Sequence, residues 1–373
     1  MRVLVSPDKF AGTLTAVHAA DAIAEGWLQQ APGDEIRRVP MADGGPGFLD
    51  VLHNALGGEL LSLEVSDPFG ALTLAGILMV GDTAYIESSQ ACGRHLTEPY
   101  YAADAPVTGA PEDAGTAGVG QLMMTAINEG ARKLVVGLGA AGTNDAGAGM
   151  LRAFGLEGDA TFDVGAAGLE GVGRTDLTKV RECVGDTEIV FAADVDNPLL
   201  GLIGTTNVYG EQKGIGEERK QAVDSWLESF ANATDRRLAN QRGAGAAGGL
   251  GFGLLLLGGT GAAAVDLVAE AVGLADHARW ADLVVTGEGA FDFRSRSGNV
   301  AYGVAETSTQ AVRPCIALAG QVLVGSREMR AMGIESAYSV LELVGHDEAF
   351  ARPYDSLARL ARRVARTWSR SGD

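Results

Sequence analysis

A chain of 373 residues with 46% hydrophobic and 21% charged residues can bury a substantial core and falls in the soluble globular class, outside the disordered class. Its net charge of −19 argues against a nucleic-acid partner, because a phosphate backbone needs a dense Lys/Arg surface and this chain has only 29 such residues. The longest apolar run, around 250–257, is short and broken by glycine, so no membrane partner is expected.

Cys92, Cys183 and Cys315 are far apart and form no CxxC pair, which suits buried thiols in a reducing compartment. The start, MRVLVSPDKF, lacks the charged and apolar regions of a secretory signal, so a cytoplasmic location is the expectation.

The first apolar run, Arg2–Val5, stops at Ser6-Pro7-Asp8, and Thr15–Gln29 then carries apolar residues at helical spacing. Asp8 and Lys9 therefore sit at the carboxyl end of a strand, where open α/β sheets place ligands. Glu35–Val39 reads as a second strand ending in Asp43-Gly44-Gly45. Between residues 59 and 87 the pattern becomes strand, turn, strand, which is antiparallel in character. Residues 104–118 read as a loop, 119–130 as a helix and Lys133–Leu138 as a buried strand. The stretch from 153 to 188 reads weakly. Ile189–Ala193 is a strand ending at Asp194, followed by the polar loop 205–214 and a helix from Glu217 to about Asn240. The last third alternates strand and helix, with strands at Leu283–Thr286, Cys315–Leu318 and Ala337–Leu341 and a final helix over 354–369. One α/β domain built from both chain ends (1–62 and 271–373) and an inserted mixed domain (63–270) are expected.

The stretch GLGAAGTNDAGAGM, residues 137–150, follows a strand with glycines that open its backbone to a ligand. Its polar centre, Thr143-Asn144-Asp145, can orient a polar substrate or a cation. GxGxxG occurs at Gly137 and again at Gly243, yet no amphipathic helix begins at Gly142, which disfavours a dinucleotide site. No P-loop motif occurs. The five acids Asp8, Asp43, Asp145, Asp194 and Asp292 each follow an apolar run. Singly each reads as a turn or cap residue. Together they are what a Mg²⁺–phosphate site needs, and one could accept the proton of an attacking hydroxyl. Lys213 reads equally as a phosphate ligand or a solvated lysine, and Lys9 beside Asp8 is similar. The histidines lack zinc spacing and no GxSxG elbow is present.

In order, the stretches SPDKFAGTLTA, ADGGPGF, GLGAAGTNDAGAGM, ADVDNPLLG, YGEQKG, GAGAAGGLG and TGEGAFD resemble those of the bacterial glycerate kinase family, type 1, over nearly the whole chain. The resemblance implies a flavodoxin-like parallel-sheet α/β domain plus a second, inserted mixed α/β domain, with glycerate and ATP·Mg²⁺ meeting in the cleft between them and 2-phosphoglycerate as product. Carried onto the matching positions, it implies catalytic roles for Asp145, Asp292, Lys213 and Asp194, with Asp145 and Asp292 as Mg²⁺ ligands. Asp8, Lys9, Asp43, Gly44, Gly45, Thr143 and Asn144 would bind the hydroxy acid. Gly137, Gly139, Asn197, Gln212, Gly287, Glu288 and Gly289 would bind the nucleotide. A homodimer is the candidate assembly.

Several positions depart from the family pattern: Ala11 and Asn299 stand where Lys is common, Pro46 and Gln121 where Glu is, Ala117 where an aromatic or Arg is, Ala141 where Ser is and Ala290 where Arg is. Losing cations weakens electrostatic stabilisation of a phosphoryl-transfer transition state. A second reading is therefore a family member of reduced kinase activity with a binding or regulatory role.

Overall fold

The computed structural model describes residues 1–101, 109–292 and 299–369. Two compact units emerge: Met1–Asp43 with Asp50–Leu56 and everything from Ala264 onward, and Gly44–Leu49 with Gly57–Ala263.

The first unit is built on a five-stranded, wholly parallel sheet in the spatial order Ser336–Ser339, Cys315–Ala319, Leu283–Thr286, Arg2–Val5, Glu35–Arg38. Numbered from the first strand outward, this is the order 2-1-3-4-5 of flavodoxin-like folds. Arg2–Val5 lies second from one edge, with Val3 opposite both Leu283 and Ile36, and its Val3, Leu4 and Val5 are fully buried. Each such side chain contributes about 1.5–3 kcal/mol of transfer free energy. The strand order reverses between Arg2–Val5 and Leu283–Thr286, so the ligand-binding edge predicted for such sheets lies at Asp8 and Gly287.

Helix Ala16–Gln30 starts at Thr15, whose hydroxyl accepts from the His18 N–H at 3.2 Å. It buries Ala19, Ala20, Ile23 and Trp27 in a core shared with Leu357, Leu360 and Val364 of the final helix, Pro353–Trp368. Gly26 sets their spacing: a Cβ there would lie 1.9 Å from the Ala358 carbonyl oxygen. Proline at the first turn of the final helix removes an amide that would have no partner inside it.

The second unit holds a six-stranded mixed sheet in the order Thr260–Ala262, Glu188–Ala192, Lys133–Gly137, Thr83–Glu87, Leu72–Val80, Glu59–Ser66. Its first four strands are parallel and the last two antiparallel. The antiparallel pair is the one its alternation predicts. Asp67 closes its turn by accepting from the Phe69 and Ala71 amides at 2.8 and 2.9 Å. The weakly patterned segment from 153 to 188 forms short pieces, namely the two-residue strands Glu157–Gly158 and Thr175–Asp176 and helix Thr178–Val184. Helix Glu217–Ala233 ends seven residues before the position expected from sequence, where Thr234 leaves helical geometry. Of the loop read over 104–118, residues 104–108 lie outside the described residues; beyond them Pro111–Asp113 forms a 3₁₀ turn and helix Ala117–Asn128 begins. Among the described residues no helix is long and apolar enough to cross a membrane.

Candidate functional site

In the first unit the strand ends bring Asp8, Lys9, Asp43, Gly287, Glu288 and Gly289 onto one edge of the parallel sheet. The Asp8 amide donates to the Gly287 carbonyl at 2.8 Å, which locks the first loop to the third strand's loop. Lys9 bridges two acids, its ammonium 2.8 Å from Asp43 Oδ1 and 3.7 Å from Asp8 Oδ1. The Lys9 amide also donates to Asp8 Oδ1 at 2.7 Å. Burial pushes the Asp8 carboxyl up to about 7; the Lys9 charge opposes the shift and Asp43 adds to it. A carboxyl poised there can give up or take a proton near neutrality. Gly287 is needed because a Cβ would sit 2.2 Å from the Leu318 carbonyl oxygen. Asp292 follows the short strand Ala290–Phe291 and is buried, as is Glu288.

In the second unit the glycine-rich stretch after strand Lys133–Gly137 becomes a wall of backbone. Gly139 donates its amide to the Gly44 carbonyl at 3.1 Å, and a Cβ on Gly139 would lie 2.3 Å from the Gly45 Cα. Gly137 and Gly139 thus pack against Gly44 and Gly45 with no room for a side chain on either of the former. Ser88 reinforces this wall by donating its hydroxyl to the Gly137 carbonyl at 2.7 Å.

The polar centre of the stretch is fully buried. Asp145 accepts four hydrogen bonds: from the Thr116 amide and hydroxyl at 2.9 and 2.8 Å, the Gly147 amide at 3.0 Å and the Gly149 amide at 3.1 Å. Burial raises its pKa, and these donors oppose the rise. Lys213, from the YGEQKG loop, reaches inward and donates to the Thr143 carbonyl at 2.7 Å. Burial pulls its ammonium down to about 8, against the stabilising pull of Cys92 and Asp145. Of the two readings that sequence left open for this lysine, solvation is excluded: it is 6% exposed. Asn144 donates from Nδ2 to the Thr206 hydroxyl at 2.9 Å. Among the described residues, three buried oxygens here, Thr143 Oγ1, Asn144 Oδ1 and Thr205 Oγ1, find no hydrogen-bond partner. Buried polar atoms are rarely left so in a native protein, and an orphaned group calls for a water or ligand.

Backbone strain accompanies the polarity. Ala140, Ala146 and Ala247 adopt positive φ of 56°, 55° and 52°, a conformation that costs a residue with a Cβ about 1 kcal/mol or more. Ala146 donates its amide to the Gly248 carbonyl at 3.0 Å, tying this stretch to the second GxGxxG loop. That second loop lies against residues 143–146, where a Cβ on Gly248 would meet the Thr143 carbonyl oxygen at 1.9 Å.

Other expected residues are placed differently. Asn197 is engaged locally, donating to the Ile203 carbonyl at 2.8 Å and accepting from the Tyr209 hydroxyl at 2.9 Å. Gln212 is exposed beside buried Lys213, and Asp194 is half-buried in the loop after strand Glu188–Ala192. Among the described residues no three His, Cys, Asp or Glu side chains gather as a metal cluster.

Sequence reasoning missed Glu87 and Thr116. Glu87 accepts from the Gly47 and Leu49 amides at 3.1 and 3.4 Å and from the Ser89 hydroxyl at 2.9 Å, so it anchors the ADGGPGF loop. Its signal was present, since it is an acid directly after the apolar run TAYI. Thr116 precedes a helix and looks like an ordinary cap; instead its hydroxyl turns to Asp145 and accepts from the Met150 amide at 2.9 Å.

Residues 3–369 match the model of the glycerate kinase family. The chain belongs to this family. A glycerate kinase of Halalkalibacterium halodurans is 35% identical over 99% of both chains, and the glycerate 2-kinase of Escherichia coli is 33% identical over 98% of both. An uncharacterized protein of Mycobacterium tuberculosis is 38% identical over 100% of this chain and 93% of its own. A solved structure described as a candidate glycerate kinase 2 from Salmonella typhimurium LT2 superposes with a TM-score of 0.83 at 30% identity, covering 98% of each chain. Glycerate kinase family membership makes the protein a kinase-type phosphotransferase with the α/β architecture described above. It also favours a kinase over a purely regulatory relative.

Proposed function

We propose that the protein transfers the terminal phosphoryl group of ATP·Mg²⁺ to the 2-hydroxyl of glycerate, or of a closely related small hydroxy acid, giving 2-phosphoglycerate. The full-length family match supports the substrate class. The observation that carries the chemistry is the Asp8–Lys9–Asp43 arrangement at the switch point of the parallel sheet, with a carboxyl held at about 7. Asp8 accepts the proton of the acceptor hydroxyl as its oxygen bonds to phosphorus, and Lys9 holds Asp8 and Asp43 in place. The glycine wall of 137–149 offers backbone to the ligand, and the unsatisfied oxygens of Thr143, Asn144 and Thr205 suit the hydroxyls of a polyol acid. Lys213 braces the turn at Thr143, and its positive charge supports an anion there.

Mg²⁺, when bound, neutralises charge on the transferring phosphoryl group. Asp292, a buried carboxylate at a strand end, has the donor chemistry that Mg²⁺ takes together with phosphate oxygens. Asp145 fits that role poorly, because its two oxygens already accept four protein donors.

A coupled ADP-release assay over glycerate and other hydroxy acids tests the reading, with Lys213→Ala as control. The expected result is ADP release that needs the acid and falls sharply in the variant. Release without any acid, or release unchanged in Lys213→Ala, overturns the assignment.

A further inference from the structure

A cavity of about 270 Å³ opens in the first unit. Its floor is the carboxyl edge of the parallel sheet: Gly289, Gly320 and Val340 each follow a strand, at Leu283–Thr286, Cys315–Ala319 and Ser336–Ser339. Its walls are apolar, with Leu14 and Leu341 inside and Phe350 at the rim, 57% exposed. None of the described residues lining it is Lys or Arg, so it is unsuited to a phosphate or to the carboxylate of a hydroxy acid. Apolar walls with an aromatic ring and one or two polar groups are the chemistry of a flat heterocycle's pocket. Gln321 supplies an exposed amide, and the Thr13 hydroxyl, which donates to the Phe10 carbonyl at 2.9 Å, keeps its lone pairs.

The cavity is continuous in sequence with the charged strand ends. Phe10 directly follows Lys9, and Gly289 directly follows Glu288. The two loops touch, since a Cβ on Gly289 would meet the Ala11 amide nitrogen at 3.3 Å. A ligand with an apolar ring in the cavity would therefore carry its charged tail toward Lys9 and Gly287, as nucleotides do at the carboxyl edge of doubly wound sheets. We propose that this cavity holds the adenine base of the phosphoryl donor, with the triphosphate directed toward the loops at Asp8-Lys9 and Gly287-Glu288. The assignment rests on the ATP-dependent reading above and adds the subsite on which base preference depends.

Calorimetry with adenosine, which carries no phosphate, isolates the base site. Ala290→Trp places an indole in the cavity from an exposed position, and Phe350→Ala removes a wall from an exposed one. Ala290→Trp is expected to weaken adenosine binding and raise the KM for ATP by about tenfold or more, with the KM for glycerate within about twofold. Phe350→Ala is expected to weaken adenosine by about threefold or more, and it decides the question if Ala290→Trp does not fold. Wild-type adenosine affinity in both variants, or no adenosine binding by the wild-type protein, overturns the subsite. Acid-dependent ADP release would then still uphold the kinase reading. Conversely, adenosine binding lost in the variants of a protein that releases no ADP would uphold the subsite and sink the kinase reading.

Discussion

The Lys213 ammonium donates to the Thr143 main-chain carbonyl across 70 residues of sequence, at 2.7 Å and shielded from solvent. The lysine thereby pins the residue whose neighbours, Asn144 and Asp145, carry the remaining polar groups of the turn. Replacing it with Met keeps the volume and leaves the carbonyl without this donor, at a cost of about 1–3 kcal/mol. The native lysine binds its proton more weakly, at about 8, than the ordinary 10.5. Between those values the unfolded chain holds more protons, so stability contributed by this site rises with pH. The urea midpoint of the wild type is expected to gain on that of Lys213→Met from pH 8 to 10. A gap that stays constant would show that Lys213 does not titrate there.

Asp8 makes the opposite prediction at the acid end. With its carboxyl pushed up to about 7, the charged form that accepts a proton fills in as pH rises through 7. The pH profile of kcat/KM for glycerate should therefore climb through a limb near neutrality. Asp8→Asn should remove that limb and lower the rate by about 10²-fold or more. A limb retained in the variant would assign it to another group.

Gly248 separates steric from conformational cost. It has φ of +73°, and an added Cβ would lie 1.9 Å from the Thr143 carbonyl oxygen and 2.6 Å from Lys213 Nζ. Gly12 has φ of +79°, and no atom of the described residues lies within 4 Å of a Cβ built there. Gly12→Ala should cost only the backbone term, about 1 kcal/mol, whereas Gly248→Ala should cost more and also abolish acid-dependent ADP release. Thermal melts with the coupled assay check both.

Thr116 is the test of what holds Asp145. Thr116→Val retains the shape and removes a hydroxyl that donates to the carboxylate at 2.8 Å and accepts from the Met150 amide at 2.9 Å. A loss of about 2–3 kcal/mol in chemical denaturation is expected, since a charged hydrogen bond goes and a buried amide is left unpaired. A change below about 0.5 kcal/mol would show that the three backbone donors suffice.

The parts legible in sequence were those with local signals. The strand Arg2–Val5, the antiparallel run from 59 to 87 and the acids at strand ends all follow from apolar runs and the residues that stop them. Lys213 stayed ambiguous because its environment comes from a distant loop; nothing in YGEQKG says that Gln212 faces solvent while its neighbour turns inward. Thr116 was illegible for the same reason, its partner being 29 residues away. The short elements between 153 and 188 were hidden because two-residue strands carry no period.

The central sheet of the first unit carries a consequence for how the chain is made. Arg2–Val5 leaves the ribosome long before its neighbour Leu283–Thr286, which is synthesised some 280 residues later and joins it through bonds such as that from the Ser6 amide to the Val285 carbonyl. At ordinary elongation rates of roughly 5–20 residues per second, the nascent strand waits on the order of tens of seconds for that partner. Residues 57–263 can collapse in that interval while the amino-terminal strand pairs only with Glu35–Arg38, one edge still open. An unfilled apolar edge of this kind is a template for foreign strands. During biosynthesis that edge stays open until the last third appears, and a truncated product ending before residue 283 would keep it open permanently.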